Sequence, residues 1–165
     1  MNYYQSLGYL VLGSRLKRLS ELFLSEINKS YKAEGIVFET TWFPVFYLLS
    51  ENKTLTIQEL CEQIEVSHPA ASQLVTNLKN KGLVISTTSP DDARKQLVTL
   101  SEEGKTLLAR ILPVWDAITA TMEEVAGSSA ILDTLTKLET AFKSVDIVKN
   151  IQNEIHHPVK SQSNA

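Results

Sequence analysis

The sequence predicts a mainly α-helical chain with one small β element: a pair of short helices leading into a β-hairpin, flanked by long helices from both ends of the chain. Three observations carry this reading. A capping box, Thr56-Ile-Gln-Glu59, opens one short helix, and Ser67 caps a second about three residues after the first ends. Two β-branched-rich runs, LVISTT (83–88) and QLVTL (96–100), enclose the turn-forming SPDDARK. Apolar stripes spaced alternately three and four residues apart recur near both termini. Two short helices, a tight turn and then a hairpin with a charged tip give the order of a winged helix-turn-helix.

The elements follow in order. Residues 4–33 read as one long helix with Leu12, Leu16, Leu19, Phe23 and Ile27 on a stripe, ended by Gly35. A second helix runs from Thr41 to about Ser50 and carries Trp42, Phe43, Phe46 and Tyr47; Pro44 is tolerated in its first turn. The capping-box helix runs to about Ile64, and Glu65-Val66-Ser67 turns the chain into the helix 68–81, which Gly82 ends. After the hairpin, Ser101 caps another helix with Glu102 and Glu103 in its first turn, where the dipole favours them. Its stripe is Leu108, Ile111, Trp115, Ile118, Met122 and Val125, and Pro113 should kink it. Gly127-Ser128-Ser129 is a break. The last helix carries Ile131, Leu135, Leu138, Phe142 and Val145, and residues 158–165 read as a disordered tail. Residues 36–104 thus form the winged lobe. Residues 1–35 and 105–157 form dimerisation helices, because a small winged domain cannot cover so much extra apolar surface alone.

Bulk properties narrow the function. A chain of 165 residues suits one domain with a proper core, or one domain plus a helical extension. No apolar run reaches the roughly 18 residues that cross a bilayer, and the N-terminal positive charges follow the apolar stretch, the reverse of a secretory signal. A cytoplasmic protein with no membrane partner is expected. The single cysteine, Cys61, forms no internal disulfide and reads as a small buried residue. A redox thiol would want exposure and a nearby cation, whereas Glu59, Glu62 and Glu65 surround this one. Net charge is −3, yet residues 66–100 hold four basic and two acidic residues. A mildly basic island in an acidic chain is what a local polyanion site would leave.

The island coincides with an unusual helix face. In helix 68–81, Ala71, Leu74, Val75 and Leu78 share the apolar side, and His68, Pro69, Ser72, Gln73, Thr76 and Asn77 share the other. A solvated helix usually carries Glu–Lys pairs, but Ser67 to Ser89 contains no carboxylate. Small polar residues allow close approach to a DNA groove. Gln73 can contact adenine with two bonds, and Ser and Thr can reach bases or phosphates. On the wing, Arg94 and Lys95 suit the minor groove, with Asp92 two residues away to orient the arginine.

Residues 56–104 resemble the DNA-binding lobe of MarR-family transcription factors. The wing motif Asp92-x-Arg94, then five residues and Leu100-Ser101-x-x-Gly104, is close to the family's D-x-R-x(5)-L-T-x-x-G, and Leu78-x-x-Lys81-Gly82-Leu83-Val84 agrees with its helix signature. The stretch is also similar to the regulator half of MarR–GNAT fusion proteins, although nothing after residue 156 could hold an acetyl-coenzyme A site. The resemblance implies an obligate homodimer, a pseudo-palindromic double-stranded operator and a regulator relieved by small organic effectors. By position, Ser72 matches the family's recurrent recognition-helix serine and Arg94 its wing arginine. Positions 73 and 77, often basic in the family, are here Gln73 and Asn77, which lowers the expected phosphate contribution.

Other constellations are sparse. Tyr9, Arg15, Trp42 and Phe46 could line a pocket for an organic acid, or simply pack the root of the helical lobe. His156 and His157 are adjacent and point about 100° apart on a helix, so they lack metal-ligand spacing. No phosphate loop, nucleophile elbow or paired carboxylates appear, so neither enzyme chemistry nor a cofactor is expected. Two readings remain beside the DNA reader: a winged helix serving as a protein-interaction module, which the low basicity favours, and a small enzyme without a motif.

Overall fold

The computed structural model of the chain describes residues 3–90, 92 and 94–157; the expected tail, 158–165, lies outside the described residues. The chain divides into two compact units, residues up to Ile118 and residues from Thr119 onward.

The first unit begins with α1 (Tyr3–Ser6), a 3-10 turn at Gly8–Val11, and α2 (Leu12–Ala33). The expected single helix is thus interrupted, because Gly8 takes φ +58°. Arg18 then stacks on the Tyr4 ring at 5.3 Å. A 3-10 turn at Thr40–Trp42 leads into α3 (Phe43–Asn52), with Pro44 in the first turn as expected. Next come β1 (Thr54–Thr56), α4 (Ile57–Ile64), α5 (His68–Asn80), the hairpin β2 (Val84–Thr88) and β3 (Gln96–Leu100), and α6 (Glu102–Ala126), which carries the chain into the second unit.

The sheet is antiparallel in the order β1-β3-β2. Val84 faces Leu100 and Thr88 faces Gln96 across the hairpin, while Thr54 faces Thr99 on the other edge of β3. β1 is a strand the sequence reading missed. It is three residues long, too short for an alternating pattern to register, and it exists because β3 offers an open edge beside it.

The core is aromatic at one end and aliphatic at the other. Phe38 sits at the aromatic centre, with the Tyr31, Phe46 and Trp42 rings 5.0, 5.1 and 5.6 Å away in edge-on arrangements. Trp115 of α6 donates its Nε1–H to Tyr31 Oη at 2.8 Å. Burial pushes the Tyr31 phenol above its usual pKa, and the Trp115 hydrogen bond offsets part of that rise. Leu60 of α4, Leu78 of α5, Val98 of β3 and Ile111 of α6 fill the aliphatic end, all fully buried. Cys61 is buried as expected.

Local chemistry sets the element ends. Thr56 and Glu59 form the reciprocal capping box of α4: Thr56 Oγ1 accepts the Glu59 N–H at 3.1 Å, and Glu59 Oε2 accepts the Thr56 N–H at 2.7 Å. These bonds hold the Glu59 carboxyl below its usual pKa. Lys53, between α3 and β1, takes φ 59° and ψ −47° with no glycine to absorb the strain. Its side chain is exposed, so Lys53→Gly should raise unfolding free energy by about 1 kcal/mol, visible as a higher urea midpoint. An unchanged or lower midpoint would show that the turn relaxes at no cost.

The second unit contains the end of α6, then α7 (Ala130–Ser144) and α8 (Ile147–His156). The final helix expected from periodicity is thus two, separated at Val145-Asp146. Asp146 caps the new start by accepting the Lys149 N–H at 2.9 Å. Neither helix buries a residue, although both are apolar on one side.

Candidate nucleic-acid interface

α5 presents two unlike faces. Ala71, Val75 and Leu78 are buried and Leu74 is half-buried, while His68, Pro69, Gln73, Thr76 and Asn77 are exposed and Ser72 is half-buried. Ser67 Oγ caps the helix by accepting the Ala70 N–H at 3.4 Å, with Pro69 in the first turn. The six outward residues predicted from the sequence therefore share one side of a helix whose other side is anchored in the core.

The far end of α5 is tied down by an arrangement that the motif Leu100-Ser101-x-x-Gly104 encodes. Gly82 takes φ +72°, and the Gly82 and Leu83 N–H groups bond the Lys79 and Leu78 carbonyls, the double closure that ends many helices. Ser101 Oγ donates to the Gly82 carbonyl at 2.6 Å and accepts the Gly104 N–H at 2.9 Å. The Ser101 N–H in turn donates to the Leu83 carbonyl at 3.1 Å. One hydroxyl thus joins the end of α5 to the start of α6.

On the hairpin, Asp92 and Arg94 form a compact clamp. Asp92 Oδ1 accepts from the Arg94 backbone N–H at 3.0 Å and from Nε at 3.1 Å, and Oδ2 accepts from Nη2 at 3.4 Å. The same contacts hold the Asp92 carboxyl below its usual pKa. The Arg94 side chain remains 92% exposed while that of Asp92 is 27% exposed, so the carboxylate grips one edge of the guanidinium and leaves the rest open to solvent. The loop closes through Ser89 N–H to Lys95 O and Lys95 N–H to Asp92 O, both 2.9 Å. Asp91 and Ala93, also on this loop, lie outside the described residues.

Two features of the wing were not read from the sequence. The charge on Lys95 acts on both Glu59 of α4 and Asp92, favouring their ionised forms, so Lys95 shares its charge with carboxylates of its own chain. Where the strands enter the loop, Gln96 accepts from Ser86 Oγ at 3.2 Å and donates to Thr88 Oγ1 at 3.1 Å, bridging two hydroxyls across the strands. The Glu59–Lys95 relation spans 36 positions, beyond any local pattern. The Gln96 bridge needs only the hairpin register, so alternation along the strands could have found it.

The residues considered for a small-molecule pocket are not gathered in one place. Trp42 and Phe46 are buried around Phe38, whereas Tyr9 is 93% exposed and Arg15 is exposed. Trp42 Nε1 is a buried donor without an acceptor among the described residues. No group of His, Cys, Asp and Glu among the described residues could hold a metal ion, and no described helix is long and apolar enough to cross a membrane.

Comparison with known proteins places this geometry. A model of the MarR family matches residues 38–95. The HTH-type transcriptional regulator FarR of Neisseria gonorrhoeae is 31% identical over 106 residues, 61% of this chain and 73% of that protein. Among solved structures, the M. tuberculosis transcriptional regulator MOSR in complex with DNA aligns with a TM-score of 0.69 at 18% identity, covering 82% of this chain and 98% of that one. Bordetella bronchiseptica BpsR, whose DNA binding is regulated by 6-hydroxynicotinic acid, aligns with a TM-score of 0.62 at 22% identity, covering 78% of this chain and 98% of that one. At those identities the two structures speak for the fold.

Proposed function

This chain belongs to the MarR family of winged-helix transcriptional regulators, and from that premise we propose that it is a dimeric, sequence-specific DNA-binding regulator. α5 enters the major groove with His68, Pro69, Ser72, Gln73, Thr76 and Asn77, and Arg94 and Lys95 meet the minor groove, oriented by Asp92. The observation that carries this is the outward face of α5: polar, small, free of carboxylates, and fixed to the core from behind. A two-fold dimer would read half-sites about 34 Å apart.

Dimerisation is supported by apolar surface that the described chain leaves open. Leu19 on α2 and Phe142 on α7 are 58% and 60% exposed, and Leu16, Phe23, Leu135 and Val145 are also exposed. In this proposal 1–35 and 105–157 supply the dimer contacts around the winged lobe, 36–104. An effector site is proposed beside Trp42 and Phe46, where a carboxylate or phenolate oxygen would satisfy the Trp42 N–H; the exposed Tyr9 and Arg15 would have to close over it. The effector of BpsR, an aromatic acid, has the matching chemistry.

A gel-shift titration against DNA from around the protein's own coding region, at about 50 and 200 mM salt, tests the DNA reading. Affinity should fall by about tenfold or more between the two, with two chains per operator duplex. Weak binding at both salts would support an interaction module instead, the alternative that the low basicity favours.

A further inference from the structure

Ser72 and His68 lie one turn apart on α5, and Ser72 Oγ stands 3.3 Å from His68 Nδ1. This differs from other helical hydroxyls of the chain. Ser30, Thr134, Thr136 and Thr140 each donate to the carbonyl four residues back, the usual way such a group is satisfied. The equivalent acceptor for Ser72 is the His68 carbonyl, yet the hydroxyl is paired with the imidazole, the tautomer of which decides which group donates. A neutral imidazole has one donor and one acceptor nitrogen. Were Nδ1 the donor, the Ser72 proton would remain free to take the nearby carbonyl, as it does at the other four positions. With Nδ1 as acceptor, the proton is already committed, and only the lone pairs of Ser72 Oγ face outward.

A free hydroxyl reads donors and acceptors alike. One whose proton is held reads donors only. In the major groove the base donors are the amino groups of adenine N6 and cytosine N4, whereas guanine and thymine present O6, N7 and O4 acceptors. We infer that His68 is a positioning residue that locks Ser72 as an acceptor, so that Ser72 selects adenine or cytosine over guanine or thymine on the strand it faces. This rests on the proposed docking of α5 in the major groove. Both side chains lie on the outward face of the helix, so changing them leaves the core intact.

The test is selection of duplexes from a random pool by the full chain and by Ser72→Ala, His68→Leu and His68→Asn. Ser72→Ala identifies the half-site position concerned. There the wild type should favour adenine or cytosine by about fivefold, the worth of one hydrogen bond. His68→Leu should abolish that preference at the position that Ser72→Ala identifies. His68→Asn, which offers a carbonyl oxygen on the same Cγ, should retain it. A guanine or thymine preference at that position, a preference indifferent to His68→Leu, or one lost in His68→Asn would each overturn the inference while leaving DNA binding established. Failure of the wild type to enrich any duplex would overturn the DNA reading and this inference with it.

Discussion

Gly104→Ala should unfold the winged lobe, or come close to it. A Cβ at this position would overlap the Leu83 carbonyl oxygen and press on its carbon at 3.1 Å. Both are backbone atoms, so no rotamer change relieves the clash. The start of α6 would have to move away from Leu83, and the Ser101 bonds to Gly82, Leu83 and Gly104 would go with it. Overpacking ordinarily costs about 1–3 kcal/mol. Adding the broken bonds at a buried junction brings the expected loss above about 3 kcal/mol, a large share of the roughly 5–15 kcal/mol that holds a domain folded. Urea denaturation should order the variants. Gly104→Ala falls furthest. Ser101→Ala follows at about 2 kcal/mol, through a lost cap and an unpaired carbonyl. Ser101→Thr, which keeps the hydroxyl, stays near the wild type. A Gly104→Ala protein with a wild-type midpoint would mean that the junction is loose and does not fix α5 relative to α6.

That junction also shows why this part of the fold was legible from sequence. Ser101, Gly104 and Gly82 act through caps and close approaches whose partners lie within about twenty positions, and the residue types are diagnostic. The outward face of α5 follows from the helical repeat alone, since burial of Ala71, Val75 and Leu78 dictates what remains outside. What escaped were events that no local period records. Gly8 breaks the first helix inside an otherwise apolar run, and Asp146 caps a further helix just past Val145, where the stripe of the last helix ends. β1 is defined by its partner β3, not by its own three residues. In the site, the Asp92–Arg94 clamp was readable because the two lie only two positions apart. The Ser72–His68 bond lies at the four-residue helical spacing, but that spacing shows only that the two can meet, not that they pair with each other.

Arg94→Ala should weaken DNA binding by about ten- to one-hundredfold at low salt and reduce the salt slope by about one counterion. The clamp makes a sharper forecast. Asp92 engages Nε and Nη2, leaving the outer edge of the guanidinium to reach phosphates or the narrow minor groove. An ammonium carries its three donors on a single nitrogen and has no planar edge to be held this way, so Arg94→Lys should keep the charge, and with it the salt slope, yet lose most of the preference for flanking A·T pairs. Asp92→Ala removes a negative charge next to the proposed phosphate path while freeing the arginine. Affinity for random DNA should therefore rise slightly while the ratio of operator to random binding falls. Titrating the three variants on operator and random duplexes over a salt series checks all of this. If Arg94→Lys matched the wild type on both duplexes, the Asp92 grip would have no part in recognition, and the wing would act on DNA through its charge alone.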